Sequence, residues 1–218
     1  MEMIPFNRKR RNAMLNSHRL RQVSIAAAAL MIGAASIASA QKATTATTAK
    51  AKKAPAATHF RITAPDLESK GRITATHVFK GMGCTGDNIS PALNWTGAPA
   101  GTKSFAVTAY DPDAPTGSGW WHWVMYNIPA SATGLAAGAG NGRGAPSGST
   151  EGLTDFGSKG YGGPCPPAGD KPHHYHFTVF ALKVDKLDVP GNAMPAMVGF
   201  NLFANRLATA RLTALYAR

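Results

Sequence analysis

The feature that most constrains the fold is a series of short apolar stretches, rich in β-branched and aromatic residues, that are separated by Gly, Pro, Asn or Asp. They lie at residues 59–63, 74–78, 104–110, 121–128 and 174–182. SFAVTAY and HFTVFAL, in the third and fifth stretches, alternate well enough to predict strands. Short strands closed by turn residues are typical of antiparallel all-β folds.

Helical periodicity is confined to residues 194–216, where apolar side chains recur near helical spacing at Met197, Phe200, Leu207 and Leu212. One C-terminal helix is therefore predicted, although the last residues of this segment also suit a strand. Residues 131–160 are rich in Gly, Ala and Ser, and a loop of this length is usually functional or mobile. The prediction is a mostly β fold: an antiparallel Greek-key-like β-sandwich with long loops and a C-terminal helix.

Residues 1–40 have the three-part plan of a secretory signal peptide. Six basic residues precede an apolar run from Val23 to about Ile37, and small residues before Gln41 form a cleavage site. The run is short for a membrane span; an uncleaved anchor is the alternative. The protein is therefore expected to be periplasmic or secreted, with no transmembrane span in its mature form.

Residues 41–58 contain Ala, Thr, Lys and Pro but no large apolar residue, which predicts a flexible tether before a domain at 59–218. Met14 is an alternative start of the chain, because the segment that follows it is an ordinary signal peptide by itself. Export would bring Cys84 and Cys165 into an oxidising compartment, where they are candidates for a disulfide. The spacing of the two cysteines leaves their pairing open.

The net charge of +12 is concentrated at the N-terminus. Residues 1–58 hold ten of the 23 Lys and Arg residues but only one of the 11 acidic residues. A nucleic-acid-binding domain carries its excess basic charge on the folded body. The distribution of charge therefore argues against nucleic acid as the partner.

The segment DPDAPTGSGWWHWVMYNIP carries the first group of candidate binding residues. Asp111 and Asp113 each precede a proline, which favours an extended backbone and fixed carboxylates at a strand end. A simple turn is the alternative. Strand alternation places His122 on the face opposite Trp121 and Trp123, where its imidazole can donate to an anion.

The segment GYGGPCPPAGDKPHHYHFTVFAL carries the second group. Gly160, Gly162 and Gly163 allow a ligand to approach the backbone, and successive amides can form an anion-binding nest. A rigid structural turn is the alternative.

The histidines of this segment divide between two strand faces. Alternation places His173 and Tyr175 on one face, where both can line the mouth of a pocket. His174 and His176 fall on the other face and are expected to be surface or packing residues.

Four motifs in order resemble the signature regions of the phosphatidylethanolamine-binding protein family, and of its bacterial branch known as Raf kinase inhibitor-like proteins. They are CTGDNISPALNW, GTKSFAVTAYDPDAP, GWWHWVMYNIP, and GYGGPCPP followed by HHYHFTVFAL. The resemblance runs from about Phe60 to the C-terminus. It implies an anion site at one end of a sandwich that binds the phosphate of a phospholipid headgroup. The site residues that it implies are Asp111, Asp113, His122, Gly163, Pro166, His173 and Tyr175.

The resemblance also leaves ligand size and gating open, because Cys165 stands where some eukaryotic members have glycine. The expected function is that of an exported, non-enzymatic, cofactor-free protein that binds a phosphate-containing small molecule or lipid headgroup. An inhibitor or interaction protein that binds a protein partner through surface loops such as 131–160 is the main alternative. Residue types alone also allow two enzymatic alternatives. One is a metallohydrolase using Asp111 or Asp113 with His122, His173, His174 or His176, and the other is serine chemistry at Ser118.

Overall fold

The computed structural model of the protein describes residues 59–68 and 71–218. The predicted signal peptide (1–40) and tether (41–58) lie outside the described residues. In chain order the elements are β1 (Arg61–Thr63), a 3₁₀ turn (Ala75–His77), β2 (Lys80–Gly81), β3 (Cys84–Thr85), β4 (Leu93–Thr96), β5 (Ser104–Asp111), β6 (Trp120–Pro129), β7 (Gly134–Leu135), a second 3₁₀ turn (Ala139–Asn141), β8 (Thr150–Glu151), β9 (His173–Leu182), α1 (Pro195–Asn205) and β10 (Arg206–Tyr216).

Two antiparallel sheets form the body of the domain. The larger sheet has the strand order β10-β9-β5-β6-β8, and the smaller has the order β1-β4-β7. The main apolar core lies between the sheets and includes Trp95 of β4, Phe105 of β5 and Phe177 of β9. A second core lies on the other face of the large sheet, where Val198 and Leu202 of α1 pack. The mostly β, antiparallel fold with a C-terminal helix is confirmed.

The three longest apolar stretches form the three central strands of the large sheet, as their alternation predicts. β5 pairs with β6 on one side and with β9 on the other. The second stretch, 74–78, is not a strand. It forms a 3₁₀ turn because the backbone of Gly86 packs against it; a side chain at Gly86 would lie 2.3 Å from the Val78 carbonyl oxygen.

The C-terminal segment divides into a helix and a strand. Helix α1 begins with Pro195 at its first turn, a favourable position for proline, and the chain becomes extended at Arg206. Of the four apolar residues at helical spacing, Met197 and Phe200 lie in α1, whereas Leu207 and Leu212 lie in β10. Met197 and Phe200 are exposed, whereas Val198 and Leu202 are buried.

The predicted loop 131–160 contains more structure than its composition indicates. It includes β7, which pairs with β4, and β8, which pairs with β6. Both strands have only two residues, so no alternating pattern marks them in the sequence. A role of this segment in binding a protein partner stays a prediction.

Candidate binding cavity

A cavity of about 330 Å³ lies at one end of the sandwich, where β5 ends and where β6 and β9 begin. Five of the seven predicted site residues line it: Asp111, His122, Pro166, His173 and Tyr175. The two segments that the sequence singles out meet there because β5 pairs with both β6 and β9. Asp113 and Gly163 lie outside the lining.

A buried pair of Asp111 and His173 forms one wall of the cavity. The Nδ1–H of His173 donates to Oδ2 of Asp111 over 2.8 Å, and Oδ1 of Asp111 accepts the backbone N–H of Asp113 over 2.8 Å. The side chains of Asp111 and His173 are 4% and 6% exposed. Nε2 of His173 lies 3.5 Å from Oδ2 of Asp170. The carboxylate therefore fixes the orientation and the tautomer of the His173 ring.

His122 reaches the cavity because β6 is irregular at this point. Ala109 of β5 pairs with Trp123, but the next residue, Tyr110, pairs with Trp121, so His122 is the extra residue of a β-bulge. The prediction that Trp121 and Trp123 share a face is therefore wrong. Trp123 packs between the sheets, whereas Trp121 packs against the core beneath α1.

The hydrogen bond of His122 determines its protonation chemistry. Its Nδ1–H donates to the carbonyl oxygen of Gly162 over 2.7 Å, and the ring contacts Tyr175 edge to face. Because a carbonyl can only accept, the neutral ring keeps its lone pair on Nε2. Burial lowers the pKa of His122. The ring is therefore neutral at pH 7, and Nε2 is an acceptor.

Two buried donors of the cavity residues have no hydrogen-bond partner within the described part of the chain: the hydroxyl of Tyr175 and the Nε1–H of Trp120. Burial, together with the nearby Asp111 carboxylate, raises the pKa of Tyr175, so its hydroxyl keeps its proton. An unpaired buried donor is costly.

The anion nest predicted at Gly160, Gly162 and Gly163 is not formed, because the N–H groups of Gly162 and Gly163 are used inside the protein. The N–H of Gly163 donates to the side-chain oxygen of Asn88 over 2.7 Å, and that of Gly162 donates to the carbonyl of His122 over 2.8 Å. The N–H groups of 161–163 are all used inside the protein. The loop instead positions the His122 ring through the carbonyl of Gly162.

Asp113 likewise positions the site rather than lining it. Its Oδ2 accepts two hydrogen bonds from His174, from the backbone N–H over 2.7 Å and from Nδ1–H over 2.8 Å. His174 is exposed, and His176 bonds to Thr213, so both lie on the strand face away from the cavity, as predicted.

The candidate ligands of the metallohydrolase alternative lie on two faces of β9, because His174 and His176 point away from the cavity that His173 lines. Within residues 59–68 and 71–218, no group of three or more His, Cys, Asp or Glu side chains has an arrangement suited to a metal ion. Ser118 does not line the cavity either; its carbonyl accepts the Tyr110 hydroxyl.

A disulfide joins Cys84 of β3 to Cys165, with the Cα atoms 6.0 Å apart. Cys165 lines the cavity between the Gly-rich loop and His173. The disulfide therefore ties the wall formed by residues 160–167 to the β2–β3 hairpin.

Several cavity residues, Phe156 and Arg218 among them, are not predicted as site residues from the sequence. Phe156 comes from the Gly-rich stretch 131–160; it stacks on Phe79 at 4.6 Å between ring centroids and meets Trp120 edge to face at 5.3 Å. Arg218 also lines the cavity. An isolated aromatic residue inside a Gly- and Ser-rich loop is the one signal that could have identified Phe156.

An antiparallel β-sandwich with a cavity of mostly apolar walls and a few convergent polar groups defines a ligand-binding class of protein. A family model described as phosphatidylethanolamine-binding protein matches residues 63–217. The chain belongs to the phosphatidylethanolamine-binding protein family, and this membership supports a binding protein.

Two proteins of Escherichia coli strain K12 are similar to the chain over most of its length. The UPF0098 protein YbcL is 54% identical over 162 residues, which are 73% of this chain and 88% of YbcL. The UPF0098 protein YbhB is 51% identical over 158 residues, which are 72% of this chain and 99% of YbhB.

Solved structures are similar to the same region. The crystal structure of E. coli YbcL, described as a new member of the mammalian PEBP family, matches with a TM-score of 0.71 at 53% identity, covering 73% of this chain and 98% of that one. A PEBP homologue from Chlamydia trachomatis matches with a TM-score of 0.61 at 28% identity, covering 74% and 99%.

Two findings bear on the location of the protein. Within the described residues, none of the helices has the length and apolar character needed to cross a bilayer. A Mycobacterium tuberculosis protein named as the lipoprotein LppC is 39% identical over 110 residues, half of each chain.

Proposed function

We propose that the protein binds a small phosphorylated anion, such as the phosphate of a phospholipid headgroup, in the cavity between Asp111 and Tyr175, without chemical turnover. The observation that carries the proposal is the buried hydroxyl of Tyr175, which faces the Asp111 carboxylate of the fixed Asp–His pair but makes no hydrogen bond of good geometry within the described residues. Such a donor gains a partner when an anionic oxygen enters the cavity.

Recognition would use the donors that the fold leaves unpaired. The Tyr175 hydroxyl and the Nε1–H of Trp120 donate to phosphate oxygens, and Pro166 packs against the ligand. Asp111 orients His173 and limits how many negative charges the cavity accepts. Asp113 and Gly163 act indirectly, by holding the wall segments in place.

Binding of an anion is coupled to a proton at His122. The lone pair of Nε2 repels an unprotonated phosphate oxygen, so the complex needs either an imidazolium or a ligand that carries P–OH. A phosphomonoester has its second pKa near 6, and burial lowers the pKa of His122. The affinity therefore rises as the pH falls from 8 to 5.

The arrangement favours binding over catalysis. Both histidines of the cavity donate their Nδ1–H to protein acceptors, an arrangement that also suits a general base, so the distinction depends on whether a nucleophile lies within reach. The Thr116 hydroxyl donates to the carbonyl of Gly119, and no histidine contact of that hydroxyl occurs within the described residues. An activated nucleophile requires a base within hydrogen-bond reach, and Thr116 has none among these residues.

Isothermal titration calorimetry with inorganic phosphate and with phosphoethanolamine, between pH 5 and pH 8, tests the proposal. Tyr175→Phe keeps the ring and removes the donor, and we expect it to weaken binding about 10- to 100-fold. Tyr126→Phe is the matched control, because Tyr126 is buried in the other core. A wild-type protein that binds neither compound, or a Tyr175→Phe variant that binds as tightly as the wild type, contradicts the proposal.

We also propose that the protein acts in the periplasm or outside the cell, after loss of residues 1–40. The charged and apolar pattern of this segment supports export, as does the lipoprotein name of one relative.

A further inference from the structure

Arg218 is the only lysine or arginine that lines the cavity in the described part of the chain. The carboxylate that lines the same cavity belongs to Asp111, which is paired with His173. Burial lowers the pKa of His122, so this ring brings no positive charge at pH 7. Among the described residues, Arg218 is therefore the one permanent positive charge that an entering anion meets in the lining.

The fold brings Arg218 to the opening of the cavity through the pairing of β10 with β9. Tyr216, the last residue of β10, pairs with His173, which is the first residue of β9 and part of the cavity wall. Two residues further on, the backbone carbonyl of Arg218 accepts the N–H of Gly169 over 3.3 Å. The backbone is therefore held beside the wall, while the residue itself is exposed.

The guanidinium of Arg218 is not committed to another charged group. An N–H of Nη1 donates to the Sγ of Cys84 over 3.6 Å, and sulfur is a weak acceptor. Among residues 59–68 and 71–218, no Asp or Glu forms a salt bridge with Arg218. A guanidinium carries five donors in a planar fork that matches two oxygens of a phosphate. Arg218 can therefore bind an oxyanion and keep its contact with the disulfide.

We propose that Arg218 pairs with the phosphate of the ligand and makes the cavity selective for anions. The inference rests on the proposed function, because it concerns the same ligand in the same cavity. Tyr175 and Trp120 donate from the buried wall, and Arg218 supplies the opposite charge from the opening. The carboxylate of Asp111 repels an anion, so the cation at the opening decides whether a charged ligand is accepted.

The inference assigns a charge to the site, and not only a side chain that covers the disulfide. A side chain that merely packs on Cys84 is replaceable by others of similar length without an effect on binding. A phosphate ligand distinguishes such replacements. Lysine keeps the charge but loses the planar fork, and glutamine keeps an N–H donor but loses the charge. The expected order of affinity is therefore arginine, then lysine, then glutamine.

Calorimetric titration of the full chain with inorganic phosphate and with phosphoethanolamine, between pH 5 and pH 8, tests the inference. We expect Arg218→Gln to weaken binding about tenfold and Arg218→Lys to have an intermediate affinity. Arg211→Gln is the matched control. It removes the same charge from an exposed position of β10, where Nε donates to Thr178 outside the cavity lining. Thermal unfolding checks that the variants are folded, and exposed Arg218 should leave the melting temperature close to that of the wild type.

Two further readouts separate Arg218 from the titrating ring of His122. The guanidinium stays charged throughout this pH range. Arg218→Gln should therefore bind more weakly at both pH 5 and pH 8, and its affinity should still rise toward pH 5. The affinity of the wild type should fall as NaCl is added, and the fall should be smaller in Arg218→Gln.

An Arg218→Gln variant that binds both compounds as tightly as the wild type overturns the inference and leaves the proposed function standing. An equal loss in Arg211→Gln also overturns it, because the effect would then belong to the net charge of the protein. A wild type that binds neither compound overturns both. When the loss is confined to Arg218→Gln, tighter binding of phosphoethanolamine supports the inference with a headgroup as the source of the phosphate. Equal binding of the two compounds supports it with free phosphate as the source.

Discussion

Glu151 offers a sharp test of the electrostatics beside the site. It lies in β8 at the edge of the large sheet, where Oε2 accepts the Nε1–H of Trp123 over 3.2 Å. Oε1 is buried and has no partner within the described residues. Burial raises the pKa of Glu151 from 4.5 to about 7. The folded protein therefore holds a proton on this carboxyl that the unfolded chain releases.

The sign and size of the effect follow from proton linkage. Between pH 4.5 and pH 7 the folded state binds more protons at Glu151 than the unfolded state, so the free energy of unfolding falls as the pH rises. A shift of one pKa unit corresponds to roughly 1.4 kcal/mol. The full shift at Glu151 therefore lowers the free energy of unfolding by about 3 kcal/mol, and the decrease is complete above pH 7. Below pH 4.5 the effect vanishes, because the carboxyl is protonated in both states.

Glu151→Gln removes this loss while keeping an acceptor for Trp123. We expect the variant to match the wild type near pH 4.5 and to exceed its free energy of unfolding by about 2–3 kcal/mol at pH 8. Urea denaturation, followed by tryptophan fluorescence at both pH values, measures the difference. Glu68→Gln removes the same charge from an exposed position and serves as the control. A gain at pH 8 of less than about 1 kcal/mol over the control would refute the reasoning.

Two further predictions concern the disulfide and the N-terminus. Cys84→Ser/Cys165→Ser opens a loop of sequence separation 81, and loop-closure entropy sets the largest expected decrease in the free energy of unfolding at about 4.5 kcal/mol, measured by urea denaturation. A decrease below about 1 kcal/mol would mean that the disulfide adds little to the stability of the fold. Intact-mass analysis of the protein recovered from the periplasm or medium should give a chain that begins at Gln41; recovery of a chain that still includes residues 1–40 would contradict cleavage.

The long strands, and the choice of the two segments whose residues line the cavity, were predictable from the sequence because they follow from local patterns. HFTVFAL alternates on a strand paired on both sides, so its periodicity reports its two faces directly. The same alternation separates His173 and Tyr175 from His174 and His176, as the structure shows.

The errors arose where a contact distant in sequence overrides the local pattern. Trp121 and Trp123 alternate as if they share a face, but the pairing of β6 with β5 places a bulge between them. Gly163 looks like an anion-binding glycine, but Asn88, far away in the sequence, takes its N–H. No local signal reports either partner.

The bulge at His122 shows that the position of this ring is set by the pairing of β6 with β5, and not by the alternation of the sequence. Three consecutive residues meet three environments: Trp121 packs toward α1, His122 lines the cavity, and Trp123 fills the space between the sheets. A regular strand offers only two faces, so it would place His122 against one of the two cores. The bulge instead lets the Gly162 carbonyl hold Nδ1–H and leaves Nε2 as the titrating atom. Deleting one residue of the bulge should therefore reduce the pH dependence of anion binding to that of the ligand's own ionisation, even if the strand still forms.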